Sequence, residues 1–473
     1  MNSKYKLLAS NTIVFAIGNI LVKLISFFLM PLYTSVLTTK QYGVAELLNN
    51  TIEIVLPLAT LCIIEALYRF SIDSDVDHCS LLVNSLTIVI IGDIIVTLIS
   101  LAWYFCFGYD YAIYFLILFV TTTFYKLTCQ FARGLGHVKR YATYGVINSL
   151  LLVFSNVVLL VWYHGGIAAY LLSFSIGYGI SGILAFFLSH EYRFLKFTHF
   201  NIELLKKMLG YSLPSIPNML SWWVNSLSDR YIVLLFWGAG VSGIYTAASK
   251  LPSIINLVTS IFQQAWQYST AKEIDEQDSK SFFSNIFRGY TYICVLVCAS
   301  LIIFNKLLCK ILLQSDFYIA WQFVPLLLLA ATFGCIGTYF GTFYNAIKNN
   351  KMLMISTLIG AIGNIALNFT LIPSMGGMGA AIATAVSYCI IMIIRIVDVK
   401  KLVDIDIDLK KFIIQFVMLL ITVIFGCIDG YISVVGPVIC FVVIVLSDYN
   451  FVKMGVSYLK RYLGGADKFL DRR

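Results

Sequence analysis

Charge is scarce in this chain. Only 12% of its 473 residues are Asp, Glu, Lys or Arg, against about a quarter in soluble globular domains, and 60% are hydrophobic. A mean hydropathy of +0.87 therefore excludes a water-soluble fold and makes lipid the solvent. Histidine is almost missing: the five, His78, His137, His164, His190 and His199, fall in expected loops or at span ends, which argues against a histidine relay or metal centre inside the membrane. The 11 cysteines are odd in number and form no CxxC pair, so neither a disulfide framework nor a metal site is expected. Long polar stretches are lacking too. A membrane glycosyltransferase or polymerase would need a sizeable non-membrane loop for its catalytic groups, so no enzyme and no cofactor are expected. No basic stripe interleaved with aromatics is present, which excludes a nucleic-acid partner.

What is there is a succession of apolar runs, each long enough as a helix to cross about 30 Å of hydrocarbon. About fourteen are expected, at approximately 10–33, 43–67, 80–103, 111–131, 142–163, 166–189, 211–238, 242–268, 285–305, 320–346, 352–373, 376–398, 411–429 and 431–448. The fold class is thus all-α and polytopic. Met1 to Met30 mimics a secretory signal but reads as an uncleaved first helix, because Lys23 interrupts it and further spans follow. Placing the N-terminus in the cytoplasm puts all but six of the 33 Lys and Arg on the inner side. Lys40, Lys306 and Lys310 lie outside, and Lys23, Arg230 and Lys250 lie within spans. Both termini are then cytoplasmic, and the +9 net charge reflects attraction to anionic inner-leaflet lipid.

The chain is written twice. Tyr42-Gly43-Val44 opens the second span and Ser242-Gly243-Ile244 the eighth, at a constant offset of 200, and the span ends Glu65 to Tyr68 match Ala265 to Tyr268. Asn156 and Gly165-Gly166 recur as Asn368 and Gly376-Gly377, where tight turns rather than phosphate cradles are expected because no GxGxxG surrounds them. Two parallel six-helix bundles follow, residues 1–200 and 201–400, with an appended helix pair and basic tail over 401–473. Gly379, Ala380, Ala381, Ala383 and Ala385 supply small-residue spacing for close helix packing.

A cation at membrane depth costs about 2.5–3.5 kcal/mol even on the permissive insertion scale, so Lys23, Arg230 and Lys250 call for a polar pathway. The eighth span carries Tyr245, Ser249, Ser253, Asn256, Ser260, Gln264 and Gln267 on one helical stripe; the second answers with Asn49, Glu53 and Thr60. The first span adds Asn19, Lys23 and Ser26, the seventh Asn218, Trp222, Asn225 and Asp229, and the tenth Thr332, Cys335, Thr338 and Thr342. Lone Ser and Thr residues are expected to be interhelical glue, whereas Glu53, Asp229 and the three bases point to a cavity. At 1.5 Å per residue, Lys23, Glu53, Arg230 and Lys250 would share one level, about 10–16 Å from the outer helix ends. Lys23 with Glu53, and Asp229 with Arg230 or Lys250, are the expected pairs in the empty state. An anionic substrate would bind Lys23, Arg230, Lys250, Asn19, Asn225 and Asn256; Glu53, Asp229 and, more weakly, Asp93 would then take up H+ or Na+ as the coupling ion.

These segments resemble the polysaccharide transporter family, the Wzx-type flippases of lipid-linked oligosaccharides, within the superfamily that also holds the multidrug and toxic-compound extruders. The resemblance rests on Pro31-Leu32-Tyr33 through Gln41-Tyr42-Gly43, on Asp229-Arg230 leading to Gly243-Ile244-Tyr245 and Lys250, and on Asn364 through Ala385 with Asn368, Pro373 and Gly376. It implies transfer of an undecaprenyl-pyrophosphate-linked glycan from inner to outer leaflet of the bacterial cytoplasmic membrane, by alternating access of the two bundles. Cell-surface polysaccharides such as O-antigen or capsule would be the product, with the polymerase and glycosyltransferases of the pathway as partners besides membrane lipid. A peptidoglycan-precursor flippase, or a multidrug/cation antiporter of the same fold, is the alternative. Asp404-Ile405-Asp406-Ile407-Asp408 imitates a DxD motif but reads as a solvated loop, and Val452, Val456, Leu459 and Leu463 as an amphipathic stripe on the inner leaflet.

Overall fold

A computed structural model describes residues 25, 27–73, 76–274, 279–347, 351–449 and 453. The regular structure among them is helical, with no strand. Among the described residues, nine helices are long and apolar enough to span a membrane, and a bent pair makes a tenth. The protein is a polytopic membrane protein. Most of the first expected span, with Asn19, Lys23 and Ser26, and all four residues of the C-terminal stripe lie outside the described residues.

Two compact units divide the chain, Met1–Ala247 with Leu312–Phe317, and Ala248–Ile311 with Tyr318–Arg473. The boundary expected at residue 200 thus falls inside the first unit. That unit contains α1 (Met30–Val36), α2 (Thr39–Ala59), α3 (Ile63–Ser71), α4 (His78–Phe107), α5 (Tyr111–Gly134), α6 (Val138–Asn156), α7 (Gly166–Leu188), α8 (Ile202–Ser212) and most of α9 (Ser215–Ala248). Helix α2 begins at a capping box, in which the Gln41 amide donates to Thr38 Oγ1 and Gln41 Oε1 accepts from the Thr38 amide. The second expected span is not continuous. It breaks at Thr60 to Cys62, where Leu61 and Cys62 adopt positive φ, and α2 and α3 meet at 68°. Pro57 precedes the break and deprives the Glu53 carbonyl of its helical donor. Helix α4 shows why these helices need lipid: Ile90, Ile91, Ile94, Ile95, Leu98 and Ile99 are all exposed.

What holds α9 in this unit is a contact between the two copies of the repeat. A Cβ on Gly43 would lie 2.1 Å from the Ala239 carbonyl oxygen, and one on Gly243 would lie 2.1 Å from that of Thr39. Both relationships exchange under the offset of 200, so the backbones of α2 and α9 touch about a local two-fold axis that no side chain could occupy. Tyr231 on α9 donates to the Leu47 carbonyl and shares a hydrogen bond with Thr51 on α2, and the Trp223 indole reaches the Asn50 carbonyl.

The second unit contains α10 (Ser253–Glu273), α11 (Ser279–Ile303), most of α12 (Asn305–Leu312), α13 (Val324–Ala346), α14 (Lys351–Leu402), α15 (Leu409–Gly426) and α16 (Ile432–Ser447). The 52 residues of α14 suffice for two spans, and Gly376, at φ 57°, marks where its two halves join. The eighth expected span is also interrupted: residues 249–252 are non-helical between α9 and α10. Pro252 accounts for this, since it has no N–H for the Ala248 carbonyl. The core stacks Phe262 on Tyr290 at 4.4 Å and Trp266 on Tyr339 at 4.5 Å. Arg395, counted from sequence among the inner-side charges, is buried; its guanidinium bonds Ser356 Oγ, Thr357 Oγ1 and the Gly337 carbonyl, joining α13 to both halves of α14. In the Asp404 to Asp408 loop, Lys280 pairs with Asp404 and Asp406, and Asp408 caps α15.

Among the described residues, the carboxyls of Glu191 and Asp448 are buried just beyond helix ends. Glu191 follows α7, is fully buried, and neither of its oxygens meets a hydrogen-bond partner. Burial pushes its pKa up to about 9. The folded state therefore binds this proton more tightly than the unfolded chain, so the stabilisation is complete below the ordinary carboxylate value of 4.5 and is lost as pH rises through about 9.

Two outcomes are expected. Gly43→Ala should destabilise the detergent-solubilised protein by about 1–3 kcal/mol, whereas Gly240→Ala, whose nearest neighbour would be Thr39 Oγ1 at 3.6 Å, should be tolerated; equal thermal stability of the two variants contradicts the backbone contact. Glu191→Gln should remove a loss of roughly 1.4 kcal/mol per pH unit between about pH 5 and 9. Melting curves at several pH values should then diverge from those of wild type as pH rises, and parallel curves would rule out a buried neutral acid.

Candidate functional site

A deeply buried carboxylate within the first unit's spans is one that the sequence pattern did not single out. Glu46, two helical turns before Glu53 on α2, is 3% exposed. Its Oε1 accepts hydrogen bonds from the hydroxyls of Tyr170 at 2.8 Å and Tyr42 at 3.1 Å, and its Oε2 accepts from the Asn50 amide at 3.4 Å. Tyr33 packs edge-on against Tyr170, and Phe317 against Tyr42, closing an aromatic wall around the carboxylate. The heptad step from Glu46 to Glu53 was the signal available in the sequence.

Arg230 belongs to the same neighbourhood. It is 8% exposed, and the next residue, Tyr231, donates to the carbonyl of Leu47, the residue after Glu46. Its own carbonyl accepts from Ser242 Oγ at 2.9 Å. The preceding Asp229 is buried as well and accepts from the Tyr245 hydroxyl at 2.9 Å, on the far side of the α9 bend at Gly238. Asn225 is buried one turn earlier, with its side-chain amide on the Ser221 carbonyl. Asp229, Arg230 and Asn225 thus sit where charges are screened least.

Lys23, the expected partner of Glu53, lies outside the described residues, and the structure gives Glu53 another cation. Its carboxylate stands 3.6 Å from Lys126 Nζ on α5, with side chains 49% and 36% exposed. Lys126 lies near the end of its span and counts by position with the inner-side charges; the structure puts it against α2 instead. Asp93 accepts from Thr123 Oγ1 at 3.0 and 3.2 Å, a pairing of α4 with α5.

In the second unit, the break at 249–252 takes Lys250 out of a helix, so the 1.5 Å spacing used to fix its depth does not apply across it. Its carbonyl accepts from the Ser253 amide and hydroxyl. Asn256 lies one turn into α10, and Cys335 of α13 reaches both its side-chain oxygen and Thr259. The stripe from Tyr245 to Gln267 is therefore not one continuous face. The arrangement in the first unit can hold an anion at Arg230 and exchange a small cation at Glu46, because burial among apolar helices makes each charge respond strongly to the arrival of another.

A probable low-salt glycan biosynthesis flippase, Agl15 of Haloferax volcanii, is 24% identical over 288 residues, covering 60% of this chain and 60% of that protein, so the match spans less than two thirds of its length. Among solved structures, the Lipid II flippase MurJ in an inward closed conformation superposes with a TM-score of 0.67 at 17% identity over 95% of this chain and 99% of that one. An inward-facing multidrug resistance MATE transporter of the MOP superfamily gives 0.63 at 14% identity over 81% and 94%. These structural likenesses show the fold. Residues 8–267, more than half of the chain and including Glu46, Asp229 and Arg230, match the polysaccharide biosynthesis protein family, and the chain belongs to that family.

Proposed function

We propose that this protein is a flippase that carries a lipid-linked glycan across the membrane for polysaccharide biosynthesis. The observation that carries the reading is the burial of Arg230 within apolar helices of a polysaccharide-family chain, next to the Tyr231 that bonds the Leu47 carbonyl beside Glu46. A guanidinium at that depth is costly, and its fork of donors suits a pyrophosphate or an acidic sugar. Similarity to a glycan biosynthesis flippase and to the fold of a lipid flippase supports the same class of cargo.

In finer terms, the substrate is an undecaprenyl-pyrophosphate-linked oligosaccharide moved from the cytoplasmic to the outer leaflet, with both chain termini cytoplasmic. Arg230, with Lys23 and Lys250, engages the anionic group; Asn19, Asn225 and Asn256 bond sugar hydroxyls; and the prenyl tail stays in lipid. Parallel six-helix bundles, 1–200 and 201–400, alternate access to this site, and the helices after residue 400 are an addition. When the anion takes Arg230, Glu46 loses the effect of a nearby positive charge and its affinity for H+ or Na+ rises. Glu53 and Lys126, half exposed within apolar helices, face the aqueous part of the pathway, because exposure of either charge to hydrocarbon would be prohibitive. Asp229 serves as the second carboxylate of the coupling, and Asp93 supports α5 locally.

Depleting the protein should make lipid-linked oligosaccharide accumulate in the inner leaflet. Unaffected flipping accompanied by drug sensitivity would instead identify an extruder of the same fold. Arg230→Ala should lower export by at least about tenfold while membrane insertion and the gel-filtration profile persist. Retained export would reduce Arg230 to a structural ion. Glu46→Gln should flatten the pH or Na+ dependence of export, and an unchanged dependence would remove Glu46 from the coupling.

A further inference from the structure

At the start of α4, three side chains of different chemistry converge from segments some 120 positions apart. Asp77 caps α4, Cys79 lies in the first turn of that helix, and His199 belongs to the connector between α7 and α8. One ligand atom from each, a carboxylate oxygen, a thiol sulfur and an imidazole nitrogen, lie within 4.8 Å of one another, and His199 Nδ1 is 2.9 Å from Asp77 Oδ2.

We propose that Asp77, Cys79 and His199 form a surface site for a late first-row divalent metal ion of the zinc type. Bonds of about 2.0–2.3 Å to oxygen, nitrogen and sulfur in a tetrahedron require ligand atoms roughly 3–4 Å apart, which this set meets with small adjustments. A mixed sulfur, nitrogen and oxygen set selects zinc or cobalt over magnesium or calcium, which favour all-oxygen shells. All three groups are at least partly exposed, so a water can complete the fourth position.

The site is also held in place from both sides. Asp77 Oδ1 accepts from the Cys79 amide, while its Oδ2 is fixed by the Ser80 amide and hydroxyl, so the carboxylate is oriented and Oδ1 has a second lone pair to offer. Two residues beyond His199, Asn201 caps α8 and exchanges hydrogen bonds with Asn84 of α4, its carbonyl accepting at 2.8 Å and its amide donating at 3.1 Å. Both ligand-bearing segments are therefore registered before any metal arrives, and the ordering cost of binding is small. The bound ion would clip the connector to α4, independently of the substrate path.

The test uses the full chain in detergent titrated with Co2+, then with Zn2+. The expected result is one equivalent of Co2+ with a near-ultraviolet thiolate-to-cobalt band, displaced by Zn2+, absent in Cys79→Ser and weakened by at least about 100-fold in affinity by His199→Gln, since losing a ligand costs more than losing an outer-shell partner. In the wild-type protein, Zn2+ should protect Cys79 from maleimide while leaving the exposed Cys106 reactive, a readout that needs no variant. Absence of the band, its survival in Cys79→Ser, or equal labelling of Cys79 with and without Zn2+ would overturn the site.

Discussion

The candidate site in the first unit rests on two backbones touching where neither has a side chain. Gly43 and Gly243 bring α2 and α9 so close that each would drive a Cβ into a carbonyl of the other helix. With no side chains to hold them apart, the helices gain dispersion contacts along their length, which is the main source of association energy in a solvent as apolar as the core. The same contact fixes the register in which Tyr231 and Trp223 of α9 reach backbone carbonyls of α2. It also sets Arg230, on the same helix as Gly243, one residue from the Tyr231 that bonds the Leu47 carbonyl beside Glu46.

That geometry explains how opposite charges persist inside apolar helices. Glu46 has two phenolic donors and an amide, and Asp229 has the Tyr245 hydroxyl. Tyrosine suits this role because its ring packs with the apolar surroundings while its hydroxyl supplies the hydrogen bond. A neutral donor steadies a carboxylate without removing its charge, so the group still responds when an ion or anion arrives. Arg395 in the second unit serves a different end. Its buried guanidinium spends its donors on two hydroxyls and a carbonyl, and so ties helices together.

Much of this was legible in the sequence, and the remainder was not for physical reasons. The offset of 200 identified Gly43 and Gly243 as counterparts, and composition alone required membrane-spanning helices. Periodicity could not reveal the interruptions at Thr60 to Cys62 and at 249–252, because an apolar run reads the same whether or not a proline bends it. Glu46 was hidden because its counterpart at the offset of 200 is Thr246, a residue type that serves as interhelical glue, so the repeat does not mark the position as ionisable. Lys126 and Arg395 read as loop charges by their nearness to span ends, although side chains of that length can turn inward when a carboxylate or carbonyls lie within reach. The Asp77, Cys79 and His199 set has no spacing to read, since it forms only when the connector folds back on α4.

The central claim is that the chain moves a lipid-linked glycan between leaflets through a path that uses Arg230. Reconstitution into vesicles carrying a lipid-linked oligosaccharide in both leaflets tests it directly, by measuring how much of the glycan an external glycosidase can cleave. Near-complete cleavage is expected with the wild-type protein and only the outer half with Arg230→Ala or empty vesicles. Cleavage of only the outer half with wild type, or complete cleavage with the variant, would contradict it.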